Sequence, residues 1–363
     1  MKLKQIALAA AVVAASSAAL ADVTVYGIAD VNLNNGKTET GFDGVAASAT
    51  STSQGRIGSG GLSTSRIGFK GTEDLGGGMQ ASFQLEGKLN VDTGENAEYD
   101  KGFFGRQSWV GLSGNFGTVQ MGKTWTSYDG VKGKFEHADN TNVGVTGDVW
   151  GTGHAYDSNV SNQIKYTLPL SGGLTASLGY AFGENKTATA AAKDLTSLGV
   201  TYESGPLAVG YGYQNEAQNT VKDSTFNVVG ASYDLGAAKL VASWSQSSYN
   251  TGSLVNAAGK STALKTVGTE TGDAKDKEYQ LGVKFPMGAS NLYFGYANSK
   301  VNVAGNERAK ADGYVLAATY SLSKRTTAYA GYTTAKRTRN LGLAGQQASG
   351  RKYTSTFGVR HAF

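Results

Sequence analysis

From residue 23 to residue 363, the chain is written in short segments whose apolar residues recur at every second position. The last of them shows the pattern well. Tyr353, Phe357, Val359 and Phe363 fall on one face, and Thr354, Thr356, Gly358 and Arg360 on the other. A period of two is the period of a strand, because successive side chains point to opposite sides. Sixteen such segments can be read: 23–33, 65–71, 79–89, 103–112, 118–123, 162–168, 174–182, 195–203, 207–214, 225–233, 239–247, 278–285, 291–300, 313–321, 326–334 and 353–363. A strand that runs to Phe363 with one apolar face would be an open, adhesive edge in a water-soluble sheet. It becomes tenable when that face meets lipid and the edge is paired by closing a barrel.

The connections support closure. Tight ones, at 204–206, 234–237, 286–290 and 322–325, carry the Gly, Pro, Asp and Ser that turns require. Long ones, at 34–64, 124–161, 248–277 and 335–352, are polar and rich in Gly, Ser, Thr and Asn. One short side and one long side is the plan of an all-β, 16-stranded antiparallel transmembrane β-barrel with short periplasmic turns and long external loops. Aromatic residues crowd at Leu292-Tyr293-Phe294-Gly295-Tyr296, as in the girdles at membrane interfaces. A soluble β-sandwich with one buried face is the competing architecture.

Residues 1–21 read as a cleaved signal peptide: Lys2 and Lys4, an apolar stretch from Ile6 to Leu20, and the small-x-small site Ala19-Leu20-Ala21. Residues 22–363 then form a single barrel domain, with no proline-rich linker and only three prolines in the whole chain. Loss of Lys2 and Lys4 takes the formal net charge from +5 to +3. So mild a balance argues against a nucleic-acid partner, which calls for a concentrated basic patch. The chain has no cysteine, so an exported fold must be held without disulfides. A mean hydropathy of −0.28 suits a barrel whose lumen is wet.

Few residues nominate other chemistry. Gly117-Thr118-Val119-Gln120-Met121-Gly122-Lys123-Thr124 fits the G-x-x-x-x-G-K-[ST] phosphate-loop pattern. The loop needs a strand before it and a helix after it, and here the intervening residues themselves read as strand. His137, His154 and His361 are the only histidines, and their spacing indicates no metal site. No Ser/His or Asp/His set marks a nucleophile, so no enzyme activity and no cofactor are expected.

Three blocks carry a family resemblance. They are Val23-Thr24-Val25-Tyr26-Gly27-Ile28-Ala29-Asp30, the run from Ser65-Arg66-Ile67-Gly68-Phe69-Lys70-Gly71 to Glu86, and Arg106-Gln107-Ser108-Trp109-Val110-Gly111-Leu112 with Gly117–Lys123. With the closing Phe363, they resemble the general, non-specific outer-membrane porins of Gram-negative bacteria, of the β-proteobacterial type. The resemblance implies a homotrimer in outer-membrane lipid and lipopolysaccharide, a third long loop folded into the lumen, and passive diffusion of small hydrophilic solutes and ions, often with some preference for anions. It also implies that Phe363 serves as a signal to the assembly machinery.

Parity then suggests the lining. Ile67 and Phe69 should meet lipid, which turns Arg66 inward. Phe83, Leu85 and Leu89 should meet lipid, which turns Gln84, Glu86 and Lys88 inward. An arginine facing lipid is costly, so Arg106 should point inward too, and its parity would carry Ser108 and Val110 with it. Arg66, Lys88 and Arg106 would form a basic wall. Lys123 could extend it only if a bulge after Gly122 released it from the parity of Val119 and Met121. Asp129, Glu136, Asp139 and Asp148 on the third loop would stand opposite. Such opposed charges would make a constriction with a modest anion preference. The alternative is that these side chains merely solvate a wide lumen. A substrate-specific channel with an aromatic track, or an adhesin or receptor acting through the external loops, are the alternative functions.

Overall fold

A computed structural model describes residues 22–39, 51–96, 102–136, 143–144, 146–150, 156–184, 186–188, 191–218, 222–250, 272–340 and 347–363. The signal segment 1–21, Asp139, His137 and His154 lie outside them. Sixteen antiparallel staves close on themselves. They are β1 (Asp22–Thr38), β2 in two pieces (Thr52–Ser59 and Arg66–Gly76), β3 (Met79–Asn90), β4 (Gln107–Gly114), β5 (Gly117–Trp125), β6 (Asn159–Pro169), β7 (Leu174–Ala181) and β8 (Leu195–Ser204). The second half continues with β9 (Leu207–Glu216), β10 (Ser224–Asp234), β11 (Lys239–Asn250), β12 (Asp273–Met287), β13 (Ser290–Val303), β14 (Asn306–Ser321), β15 (Thr326–Asn340) and β16 (Gln347–Ala362). A two-residue ladder at Glu95–Asn96 extends β3.

Each of the sixteen predicted segments falls on its own stave, although 103–106 precede β4 as turn and bend. The seam is β1 against β16, from Ile28 opposite Ala362 to Thr38 opposite Lys352. Phe363 completes it: Gly27 N donates to Phe363 O at 3.0 Å and Phe363 N donates to Gly27 O at 3.1 Å. The Phe363 ring lies so close over Gly27 that a side chain there would collide with it.

The staves run farther than the apolar pattern. β1 continues to Thr38, β12 begins at Asp273 and β16 at Gln347, and 52–59 is strand within what reads as a loop. Above the lipid both faces of a strand are wet, so the backbone ladder continues where the period-two signal of hydrophobicity has ended.

The polarity of the wall is inverted relative to a soluble protein. Buried wall residues include Gln163, Gln214, Ser243, Ser245, Asp276 and Gln280, whereas Leu33, Val110, Leu178, Leu281 and Phe357 are exposed on the outside. Lipid makes this favourable, since an apolar side chain removed from water stabilises by about 1.5–3 kcal/mol. No helix among the described residues is long and apolar enough to cross a membrane; the crossing is made by strands.

Within the lumen, β5 leads into α1 (Ser127–Lys134). Thr126 caps it, its hydroxyl accepting from Asp129 N at 3.2 Å. Further on comes the single turn α2 (Thr146–Val149). Tyr128, Val131 and Phe135 of the α1 segment pack with Phe226 and Val228 of β10. Val143, Val149 and Trp150 pack with Ala297, Ala311, Val315, Ala317, Tyr329 and Ala335 of β13–β15. The described parts of the long third loop therefore fold into the barrel and lie against its wall.

Candidate functional site: a constricted aqueous lumen

The wall that faces this inner loop is built from β1–β4. Arg66 of β2 stands opposite Lys88 of β3, and Gly68 opposite Glu86. Glu86 is only 3% exposed and takes two guanidinium groups. Arg106 Nε reaches its Oε1 at 2.7 Å, and Arg66 Nε lies 3.7 Å from its Oε2. Tyr26 Oη donates to Oε2 at 2.9 Å, while Gln84 Nε2 donates to Tyr26 Oη at 2.6 Å. The Tyr26 ring can lie flat along the wall because residue 68 is glycine, and a Cβ there would sit 2.6 Å from the ring. Lys70 Nζ stands 5.2 Å from the same ring.

Arg106 faces inward, but by a different route from its parity. Val110 is 59% exposed on the outer surface, so Ser108 and Val110 lie on the outward parity, and Gln107 and Trp109 on the inward one. This corrects the reading that placed Ser108 and Val110 in the lumen. Arg106 precedes β4 on a bend, where strand parity does not bind it. The bend is fixed by Asn159 Nδ2, which donates to the carbonyls of Gly105 and Arg106 at 3.0 Å each. The guanidinium then stands 5.1 Å from the Trp125 ring.

The other candidates fall in three places. Lys123 pairs in register with Ser108, and its Nζ lies 3.4 Å from Ser161 Oγ at the exposed end of β5–β6. The ladder shifts register between Gly122 and Thr124, at Lys123 itself. Asp129 accepts from Tyr156 Oη at 2.6 Å. Burial pushes its carboxyl above the usual range, with Lys132, Lys165 and Arg106 opposing the shift. Asp148 is paired with Lys352, Oδ1 to Nζ at 2.7 Å. Its backbone carbonyl accepts from Arg337. Glu136 follows α1 and is half-buried. Of the acids of the inner loop among the described residues, Asp129 and Asp148 are thus engaged by Tyr156 and Lys352.

Lys88 faces an open polar cavity of about 550 Å³, shared with Arg56, Asp92, Asp148 and Lys352. Two features of the site go beyond parity. Glu86 clamps both arginines, which requires the register of β2 on β3 to be known. Lys132 stands 4.5 Å from the Tyr156 ring and 5.0 Å from the Trp150 ring, tying the two limbs of the inner loop together. A signal for the docking of that loop was present in the sequence. Gly199, Gly210, Gly212 and Gly230 fall on the inward parity of β8–β10, and a Cβ at Gly230 would lie 2.3 Å from Phe135. The phosphate-loop letters 117–124 lie on β5, whose backbone is paired with β4 and β6.

Relatives carry the same plan. "Outer membrane porin protein 32" of Delftia acidovorans is 32% identical over 386 residues, covering 99% of this chain and all of that protein. An anion-selective porin from Comamonas acidovorans superposes with a TM-score of 0.73 at 29% identity, covering 95% of this chain and 100% of that one. The trimer form of OmpT from Vibrio cholerae shares the fold, with a TM-score of 0.62 at 18% identity over 93% of this chain and 99% of that one. Residues 7–340 match the family described as Gram-negative porin. A closed barrel with a wet lumen, narrowed by its own third loop and lined by arginines, belongs to that family: this chain is a Gram-negative porin, a non-enzymatic channel of the outer membrane.

Proposed function

We propose that this porin passes small hydrophilic solutes by diffusion with a modest preference for anions, and that it works as a homotrimer in outer-membrane lipid and lipopolysaccharide. The observation that carries the anion preference is the balance of charge at the constriction. Arg66 and Arg106 share one carboxylate, Glu86, and Arg360 adds its field to theirs. Across the lumen, Asp129 is half-buried beside Lys132 and Lys165, and Asp148 is neutralised by Lys352. A passing ion therefore meets fixed positive charge in excess, and rings of fixed charge select ions of the opposite sign. The anion selectivity in the name of the Comamonas acidovorans relative and the trimer form of OmpT support the two parts of the reading. Lys88 would draw anions toward the narrow zone from the outer cavity, and Phe363 would act in assembly through its place at the seam.

Liposome swelling tests the proposal. Neutral sugars of graded size should enter at rates that fall smoothly with size, without saturation. Organic anions should enter faster than organic cations of equal size. Saturation by one sugar would indicate a substrate-specific channel instead, and faster entry of cations would contradict the anion preference.

A further inference from the structure

The two pieces of β2 are separated by an inward fold. Val31 of β1 opposes Ser59 and Ile28 opposes Arg66, so Ala29 and Asp30 face the whole run Gly60–Ser65. An interruption of this size would normally leave ladder groups of β1 unpaired, at a cost. Here they are paired. Gly60 N donates to Asp30 O at 2.9 Å, and Asp30 N donates to Ser65 Oγ at 3.0 Å. The extra residues turn into the lumen, since Asp30 has the parity opposite to the exposed Val31 and Leu33.

The fold is held by one carboxylate. Asp30 is fully buried. Its oxygens accept from Gly61 N at 3.2 Å, Leu62 N at 2.8 Å, Ser63 N at 2.7 Å, and the Tyr329 hydroxyl. Successive backbone amides curled around one anion form a concave nest. Gly61 is required there, because a Cβ would lie within 3 Å of Tyr329 and Asn32. Leu62 then packs toward the inner loop, lining one 160 Å³ cavity with Val143 and Tyr329. Ser63 turns the other way and its Oγ accepts from Arg360 Nε at 3.1 Å.

We propose that Gly60–Ser65 is a second constriction element, a shelf on the β1–β2 wall that narrows the pore together with the inner loop, and that Asp30 is the residue that positions it. The shelf occupies lumen between the basic wall and the inner loop, braces the loop through Leu62, and holds Arg360 through Ser63. Pore size would then be set by two segments rather than one.

The chain has no cysteine, so Ser63→Cys supplies a single reactive thiol. Modification of that thiol by a methanethiosulfonate reagent should roughly halve the single-channel conductance, because the added bulk would extend the shelf into the lumen. A negatively charged reagent should also lower the anion preference more than a neutral one. Asp30→Asn, in a barrel that still shows the heat-modifiable mobility of a folded porin, should raise conductance and admit larger sugars. A Ser63→Cys thiol that reacts fully without changing conductance, or that does not react, would overturn the shelf. An unchanged size limit in folded Asp30→Asn would overturn the positioning role of the carboxylate.

Discussion

A carboxylate held between two guanidinium groups takes up much of their field, and Glu86 does this between Arg66 and Arg106. Its removal as Glu86→Gln keeps the shape and frees the charge. One unit charge acting at ~4 Å through water is worth about 1 kcal/mol, roughly fivefold in favour of an anion and fivefold against a cation, so the anion-to-cation permeability ratio should rise by up to about 25-fold, as read from zero-current potentials. Asp129 supplies a pH dependence. Burial raises its pKa, so the neutral form is favoured in the folded loop. As pH falls, Asp129 takes up its proton before exposed carboxylates do, and Lys132 and Lys165 lose the anion beside them. Anion preference should therefore increase on acidification in a step above the ordinary carboxylate range, and the step should be absent in Asp129→Asn. The same sign holds for stability: the charged carboxylate disfavours the docked loop at neutral pH, and that cost disappears as pH falls through the raised pKa. At this scale the sequence is only half legible. Parity turns Arg66 and Lys88 to one face of regular strands, where Arg66 meets Glu86 and Lys88 lines the polar cavity. Parity does not govern Arg106, because the residue sits on a bend outside the strand and reaches Glu86 from there.

Among the elements, the inner loop depends on its bed. Phe135 is fully buried against Gly230 and the neighbouring strands, and Gln280 Nε2 donates to its carbonyl. Truncating a buried Phe to Ala commonly costs 3–5 kcal/mol. Phe135→Ala should thus loosen the loop and raise open-channel current noise, while the thermal transition of the barrel, carried by the strand ladders, moves little. Gly230→Val should act in the same direction by displacing the ring. Equal noise in wild type and both variants would contradict the docking. The staves were legible because lipid imposes a period of two on any strand that crosses it. Their upper ends and the segment Thr52–Ser59 were not, because strands above the membrane are wet on both faces and carry no such pattern. The inward fold at Gly60–Ser65 was hidden within the same polar stretch, and its cause, the carboxylate of Asp30, lies on a different strand.

For the whole molecule, closure replaces the cross-links and the apolar core of a soluble domain. The seam of β1 on β16 leaves no free edge, and the chain has no disulfide to supply rigidity. The folded protein should migrate as a compact, heat-modifiable species in detergent gels, and reductant should change neither its mobility nor its transition temperature. We propose that Arg66 and Arg106 make the narrow zone selective for anions. That role is tested most directly by the zero-current potential across a planar bilayer holding the porin in a potassium chloride gradient, for wild type and for the Arg66→Ala, Arg106→Ala double variant. The wild-type potential should carry the sign of anion preference, and the double variant should move toward zero or past it to cation preference. A cation-selective wild type, or a potential unmoved by loss of both arginines, would rule out that role for them.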